Sequence, residues 1–332
     1  MSHPIPTMYS HLSNKEIDLL FSTQSWNNPA MDAKAKAEAC QELENRLAEQ
    51  DNVPARNVFA ENMNGTVQGQ QGGSCIFVNS NILQDGVTRT TTQDEHGNQH
   101  TVAMNVSAPN LQMYDTICHE HSHGLDLDKG TSQTVSYVDP EKDYDLYRIQ
   151  ADERKAYDMA EEKTKTALAT IAQALGKADE NQQAYLDVIG RDSYKEALAR
   201  AIEHYQDKDI QATLDKVCAD FEKGNKTSYQ SQSAQRIADL LQTQLLEAQQ
   251  QAQQAQSNAQ TNASTPNRSS EDKTGEKTMS NNTTTQEATQ EQGQTVSGWE
   301  ADLAELDNDA QQDEGMQEAE DQGQDNDDGM EM

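Results

Sequence analysis

The residues with the clearest chemical potential form the run His119-Glu120-His121-Ser122-His123, whose first, second and fifth members spell H-E-x-x-H. Residues four apart share one face of an α-helix, so His119 and His123 can present two imidazoles to one zinc ion. Glu120 can then reach a water molecule bound to that ion. The motif therefore predicts two zinc ligands and a general base, which are the minimum residues of a zinc-dependent hydrolase.

A catalytic zinc ion also needs a third protein ligand and an open position for water. Metzincin spacing would require a glycine and a further ligand after His123, where this chain has Asp126 and Lys129. An aspzincin would need an aspartate in a G-T-x-D-x-x-Y turn, but the chain has Gln133 in place of that aspartate, and Tyr137 falls one position late. The first class is excluded and the second is disfavoured.

A glutamate on a following helix is the remaining source of a ligand, and Glu153 is the candidate. It belongs to a stripe with helical spacing that comprises Tyr147, Gln150, Glu153, Ala156, Tyr157 and Ala160. The alanines are small enough to let another helix approach closely. A glutamate buried there would be costly unless it were paired or bound to a metal ion.

The order His119-Glu120-x-x-His123 and then Glu153-x-x-Ala156 resembles the gluzincin arrangement. The wider stripe is similar to compact zinc metallopeptidase domains of bacterial mobile-element and polymorphic-toxin proteins, over about residues 37 to 160. The resemblance implies Zn²⁺ as cofactor, His119, His123 and Glu153 as its ligands, and Glu120 as the general base. His121 is an unusual insert in this pattern.

The same run allows a second interpretation. If residues 117 to 123 formed a strand, the three histidines would face one side as a three-histidine zinc site, with Glu120 on the other. Pro109, Gly124 and the four-residue apolar spacing favour a helix instead.

In the helical interpretation, Glu120 takes a proton from metal-activated water and passes it to the leaving amine. An oxyanion donor is also needed, for which Tyr147 and Tyr157 are candidates. His121 is a weaker one, because on a helix it points about 200° away from His119. Cys118 is expected to be a buried thiol, and His96 and His100 to be solvated loop residues.

The surrounding pattern predicts the elements that hold these residues. A capping box at Ser13 starts a short helix, a second helix spans about residues 30 to 49, and residues 62 to 73 form a loop. Residues 75 to 78 form a strand, and residues 101 to 106 form a half-buried one. The motif helix then runs from about Pro109 to Gly124, before a loop over residues 126 to 140 and further helices, broken near three glycines, to about residue 256.

We therefore expect an α+β, mainly helical fold in three parts. Residues 1–160 form a zincin-like domain with a small sheet against the active-site helix, and residues 161–256 form a helical extension. Residues 257–332 form a disordered Gln/Asn-rich and acidic tail, in which Trp299, Leu303 and Leu306 interrupt the polar sequence. The low aromatic content, 5% of 332 residues, agrees with one moderate core and a solvated tail.

Composition also restricts the partners. The formal charge is −32, and residues 301 to 332 carry thirteen acidic residues and no lysine or arginine, which argues against nucleic acid or an anionic membrane as partner. The four cysteines lack metal-binding or disulfide spacing and are expected to be reduced and mostly buried. With no signal peptide or membrane span, the protein is expected to be cytoplasmic or exported by a route that does not read an ordinary signal peptide.

Two functions from different classes follow from the sequence. The first is a zinc-dependent peptidase or amidase that acts on a protein or peptide. The second is a non-catalytic interaction protein with a structural or decayed metal site, which recruits a protein partner through its acidic carboxy-terminal half.

Overall fold

A computed structural model of the chain describes residues 8–94, 97–130, 136–225 and 228–263. The described part is mainly helical, with two small sheets. Its helices are α1 (Asn14–Leu20), α2 (Thr23–Trp26), α3 (Ala33–Asp51), α4 (Ser80–Asp85), α5 (Pro109–Asp128), α6 (Tyr144–Ile149), α7 (Ala151–Leu175), α8 (Gln182–Arg191), α9 (Tyr194–Tyr205), α10 (Ile210–Glu222) and α11 (Gln232–Ala263). Its strands are β1 (Asn57–Glu61), β2 (Gly69–Gln71), β3 (Cys75–Asn79), β4 (Val87–Gln93) and β5 (Gln99–Asn105).

The first sheet has the order β1-β3-β2, with β1 parallel and β2 antiparallel to β3. The predicted strand at residues 75 to 78 is therefore confirmed, as the central strand. The predicted loop over residues 62 to 73 is wrong at β2, which forms because its polar residues gain backbone hydrogen bonds from β3. At Gly69 a Cβ atom would overlap the side chain of Thr116, so glycine lets β2 lie close against α5.

The second sheet is a hairpin of β4 and β5. The alternating sequence over residues 101 to 106 predicted a half-buried strand, and this is wrong, because every residue of β5 is exposed. Val102 and Met104 supply the apolar half of the alternation and both face solvent. Alternation indicates two distinct faces, but in this hairpin no core covers either face of β5.

Helix α5 lies at the centre of the first apolar core. The buried members of this core come from α1, α2 and the turn between them, and from α3, β3, α4, α5 and α7. They include Ile17, Phe21, Trp26, Leu43, Leu47, Ile76, Ile82, Met113 and Ile117. Ala156 and Ala160 of α7 are fully buried, as the sequence predicted for alanines that admit a second helix. The capping box at Ser13 is also confirmed, with Glu16 as its reciprocal partner.

A second core joins α6 to the helices that follow α8. Leu146 and Ile149 of α6 pack there with Val138 and with residues of α9, α10 and α11, including Ile210, Leu214, Val217 and Ile237. Ser136, just before Val138, accepts a hydrogen bond on its carbonyl from the Cys218 thiol of α10, at 3.4 Å. These helices therefore hold Ser136 and Val138, which precede α6.

Two predicted helix ends differ from the structure. Helix α5 continues to Asp128, so the prediction that it ends at Gly124 is wrong. Gly124 is a glycine because a Cβ atom would overlap the Arg56 guanidinium, and it does not terminate the helix. Helix α11 reaches Ala263, beyond the predicted end near residue 256, and the rest of the predicted tail, with Trp299, lies outside the described residues.

Within the described ranges, every helix is too short or too polar to cross a membrane. The four cysteines are free thiols, of which Cys40, Cys118 and Cys218 are buried and Cys75 is partly exposed. Burial raises the pKa of the Cys118 thiol well above its ordinary value, as expected for an inert buried group.

Candidate metal centre

The three predicted ligands meet where α5 packs against α7. The Nε2 atoms of His119 and His123 lie 3.0 Å apart. The His119 Nε2 atom is 3.2 Å from Glu153 Oε2, and the His123 Nε2 atom is 3.2 Å from Glu153 Oε1. Ligand atoms held at about 2.0–2.1 Å by a tetrahedral zinc ion are about 3.3 Å from one another, so this spacing suits a single ion. The three residues could together hold a metal ion.

Burial supports the same assignment. Glu153 is 2% exposed and His119 is 8% exposed. The Oε2 atom of Glu153 is buried and has no hydrogen-bond partner of good geometry among the described residues. Such an orphaned carboxylate oxygen is costly, and coordination to a cation would satisfy it. The donor set of two imidazoles and one carboxylate also matches what zinc accepts at catalytic sites.

His123 and Glu153 each stabilise the charged form of the other, which shifts both pKa values. Burial alone would lower the pKa of His123, but the Glu153 carboxylate outweighs it and raises that pKa to about 9. Burial alone would raise the pKa of Glu153, but the imidazoles of His119 and His123 that face its carboxylate hold it well below its ordinary value. Without metal, His123 is therefore a protonated partner of Glu153 at neutral pH, and a metal ion must displace that proton.

This pairing predicts how the stability of the metal-free protein depends on pH. Because the pKa of His123 is raised in the folded state, the pair stabilises the fold fully below pH 6.5, and the contribution is lost as pH rises through about 9. The shift corresponds to on the order of 3 kcal/mol. Denaturant unfolding of chelator-treated protein between pH 6 and 10 measures it. A Glu153→Gln variant should lack this loss, and an identical profile in both proteins would contradict the pairing.

Glu120 lies beside the ligands and is 8% exposed. Burial raises its pKa, against the opposing effects of His119 and His123. The backbone N–H of Gln71 in β2 donates a hydrogen bond to its carboxylate. A carboxylate with a raised pKa accepts and returns a proton near neutral pH more readily than an ordinary glutamate.

Tyr157 and Tyr147 contact different ligands of the candidate site. The Tyr157 ring packs edge-on against the His119 ring, with the ring centroids 4.5 Å apart, and the Arg148 guanidinium carbon lies 3.6 Å from the centroid of the Tyr157 ring. Tyr157 therefore fixes the orientation of a ligand ring. Tyr147 is turned towards Glu153. Burial is the largest cause of the raised pKa of Tyr147, and the charges of Tyr157 and Glu153 raise it further.

Tyr137 is a further residue near the candidate ligands, and no sequence motif indicates it as part of the site. Its ring packs against Tyr147 at 6.0 Å, and 43% of the residue is exposed. Burial of its hydroxyl raises its pKa, and the charges of Glu153, Asp139 and Glu120 add to the rise. The signal available in the sequence was its place on the segment between the two ligand helices.

The remaining histidines fall outside this group. Because residues 109 to 128 are helical, the three-histidine strand site is wrong. His121 is fully buried on the far side of α5, where its ring nitrogens face Glu44 and Asp51 of α3. His100 is exposed and pairs with Asp94, so the prediction that it is solvated is confirmed, but it lies on strand β5 and the prediction of a loop is wrong. His96 lies outside the described residues.

Comparison with known proteins gives no relative. No family model matches the chain, and no curated protein or solved structure is detectably similar to it.

Proposed function

We propose that this protein is a zinc-dependent metallopeptidase with a zincin-like domain and a gluzincin-like ligand set. The observation that carries the proposal is the meeting of His119, His123 and Glu153 from two helices, with Glu120 beside them. The two histidines are close in sequence, but Glu153 is thirty positions further on, and three donors at these distances suit one ion.

Separate residues would bind the metal ion, transfer the proton and stabilise the oxyanion. His119, His123 and Glu153 would hold the ion, which when bound lowers the pKa of a water ligand and polarises a carbonyl group. The carboxylate of Glu120 accepts a proton from the attacking water and delivers it to the leaving nitrogen. We assign the developing oxyanion to the hydroxyl of Tyr137 as donor, because the charges of Glu153 and Glu120 act on it and Tyr157 instead packs on a ligand ring.

The position of β2 favours a peptide as the substrate. Strand β2 pairs with β3 along one edge, and the N–H of Gln71 points towards Glu120, so the opposite edge faces the candidate site. Among the described strands none pairs with that opposite edge. An extended peptide can add there through backbone hydrogen bonds, which would bring an amide bond close to Glu120.

The experiment that tests the function removes and restores the metal. Zinc-loaded protein is incubated with a mixed peptide library, and products are identified by mass spectrometry. We expect cleavage at a defined set of sites, its loss after chelation, and its return when about one equivalent of zinc is added back. Absence of cleavage by fully zinc-loaded protein would favour the interaction protein with a structural site, and cleavage that survives chelation would exclude a metallopeptidase.

A further inference from the structure

The face of α5 opposite the candidate ligands is tied to α3 by the buried imidazole of His121, which lies between two carboxylates of α3. His121 is fully buried, as is Glu44 of α3. The His121 Nδ1 atom lies 2.7 Å from Glu44 Oε2, and its Nε2 atom lies 3.1 Å from Asp51 Oδ2. Both nitrogens of one ring are thus held by carboxylates seven residues apart on α3, which fixes the position of this turn of α5.

Arg56 extends the same network along α5. This residue precedes β1 and is 4% exposed, and its backbone N–H donates to Glu44 Oε1 at 3.0 Å. Its side chain crosses α5 at Gly124, where a Cβ atom would overlap the guanidinium. Its Nη2 atom then reaches Asp128 Oδ2 at 2.6 Å. The contacts at positions 121, 124 and 128 follow one stripe of the helix.

Buried charges of this kind are a poor means of gaining stability alone, because desolvation offsets most of their attraction and apolar residues often serve as well. Their hydrogen bonds are directional, however, and an apolar contact is not. A helix held only by apolar contacts can rotate slightly and still bury the same surface. The hydrogen-bond network on α5 instead fixes the rotation of α5 about the helix axis.

Rotation of α5 matters because the candidate ligands come from two helices. His119 and His123 lie on α5, whereas Glu153 lies on α7. A side-chain atom about 5–6 Å from a helix axis moves by about 1 Å when the helix turns by 10°. Metal–ligand distances tolerate deviations of only about 0.2 Å. A small rotation would therefore carry both imidazoles away from Glu153 while leaving their mutual distance unchanged.

We propose that His121 and Arg56 are positioning residues of the metal centre: together with Glu44, Asp51 and Asp128 they set the rotation of α5 that brings the two imidazoles to Glu153. The inference rests on the metal site of the proposed function. It also gives a role to His121, the residue that the resemblance to gluzincins left unexplained.

The test compares zinc affinity with folding stability in matched variants. Gly124→Ala displaces the Arg56 guanidinium without changing a charge. We expect the folded variant to bind zinc about 10- to 100-fold more weakly in competition with a chromophoric chelator, as when supporting residues of a metal site are changed. The visible spectrum of its Co²⁺ form should also change, because the carboxylate ligand is displaced. Ile117→Val is the control, since it trims the apolar core on the same face and should lower only the thermal midpoint.

Asp128→Asn is the second variant, in case Gly124→Ala does not fold. The Asp128 side chain is 42% exposed, so this substitution weakens one Arg56 contact with little cost to folding. We expect a smaller, several-fold loss of zinc affinity. Zinc affinity and a Co²⁺ spectrum equal to wild type in the folded variants would overturn the positioning role. Failure of the wild-type protein to bind zinc would instead overturn the metal site itself.

Discussion

Replacing Glu153 with alanine is expected to abolish stoichiometric zinc binding. The substitution leaves His119 and His123 as the only protein ligands of this group, and two imidazoles four residues apart on a helix do not complete a catalytic zinc site. Changes to residues that merely support a ligand weaken metal affinity by about 10- to 100-fold, so loss of a direct ligand should weaken it by at least about 100-fold. Metal analysis after gel filtration should find about one zinc per wild-type chain and almost none in the variant.

The control for this result is Glu162→Gln, on the exposed side of the same helix. It removes a negative charge from α7 without touching the candidate site, and should keep the full zinc content. Unchanged zinc in Glu153→Ala would contradict the three-ligand site. Equal losses in both variants would show that overall charge, rather than coordination, governs the measured binding.

Replacing Glu120 with glutamine is expected to remove peptide hydrolysis while zinc is retained. The amide has the same shape but cannot accept a proton from the attacking water. General base catalysis contributes about 10²- to 10⁴-fold to a rate, and kcat for a cleaved library peptide should fall by that factor. KM should change little, because the substrate contacts along β2 remain. The kinetics are measured on protein of known zinc content.

The same Glu162→Gln variant serves as control here, because it makes an identical chemical change on the surface. It should keep wild-type kcat. Activity retained by Glu120→Gln would assign the base to another residue. Loss of zinc together with activity would show that Glu120 supports the site structurally and would leave the base unassigned.

The candidate ligands could be predicted from sequence because their signals are local. The spacing of His119 and His123 shows directly that they share a helical face. Glu153 could be identified from its own helix, since a glutamate in a stripe with Ala156 and Ala160 is placed where another helix approaches. These patterns need no knowledge of what lies far away in the chain.

The features that could not be predicted depend on distant partners. Gly124 has the signature of a helix terminator, and only the crossing Arg56 side chain explains it. His121 has its partners 77 and 70 positions earlier in the chain. Strand β2 is a short polar run whose pairing with β3 no local pattern indicates.

X-ray absorption at the zinc edge of the zinc-loaded wild-type protein tests the three-ligand site directly. We expect four nitrogen or oxygen ligands at about 2.0–2.1 Å, with the scattering of two imidazoles and no sulfur. His119 and His123 supply the imidazoles, Glu153 supplies an oxygen, and water supplies the fourth ligand. A third imidazole, a sulfur shell at about 2.3 Å, or a shell with no imidazole scattering would contradict it.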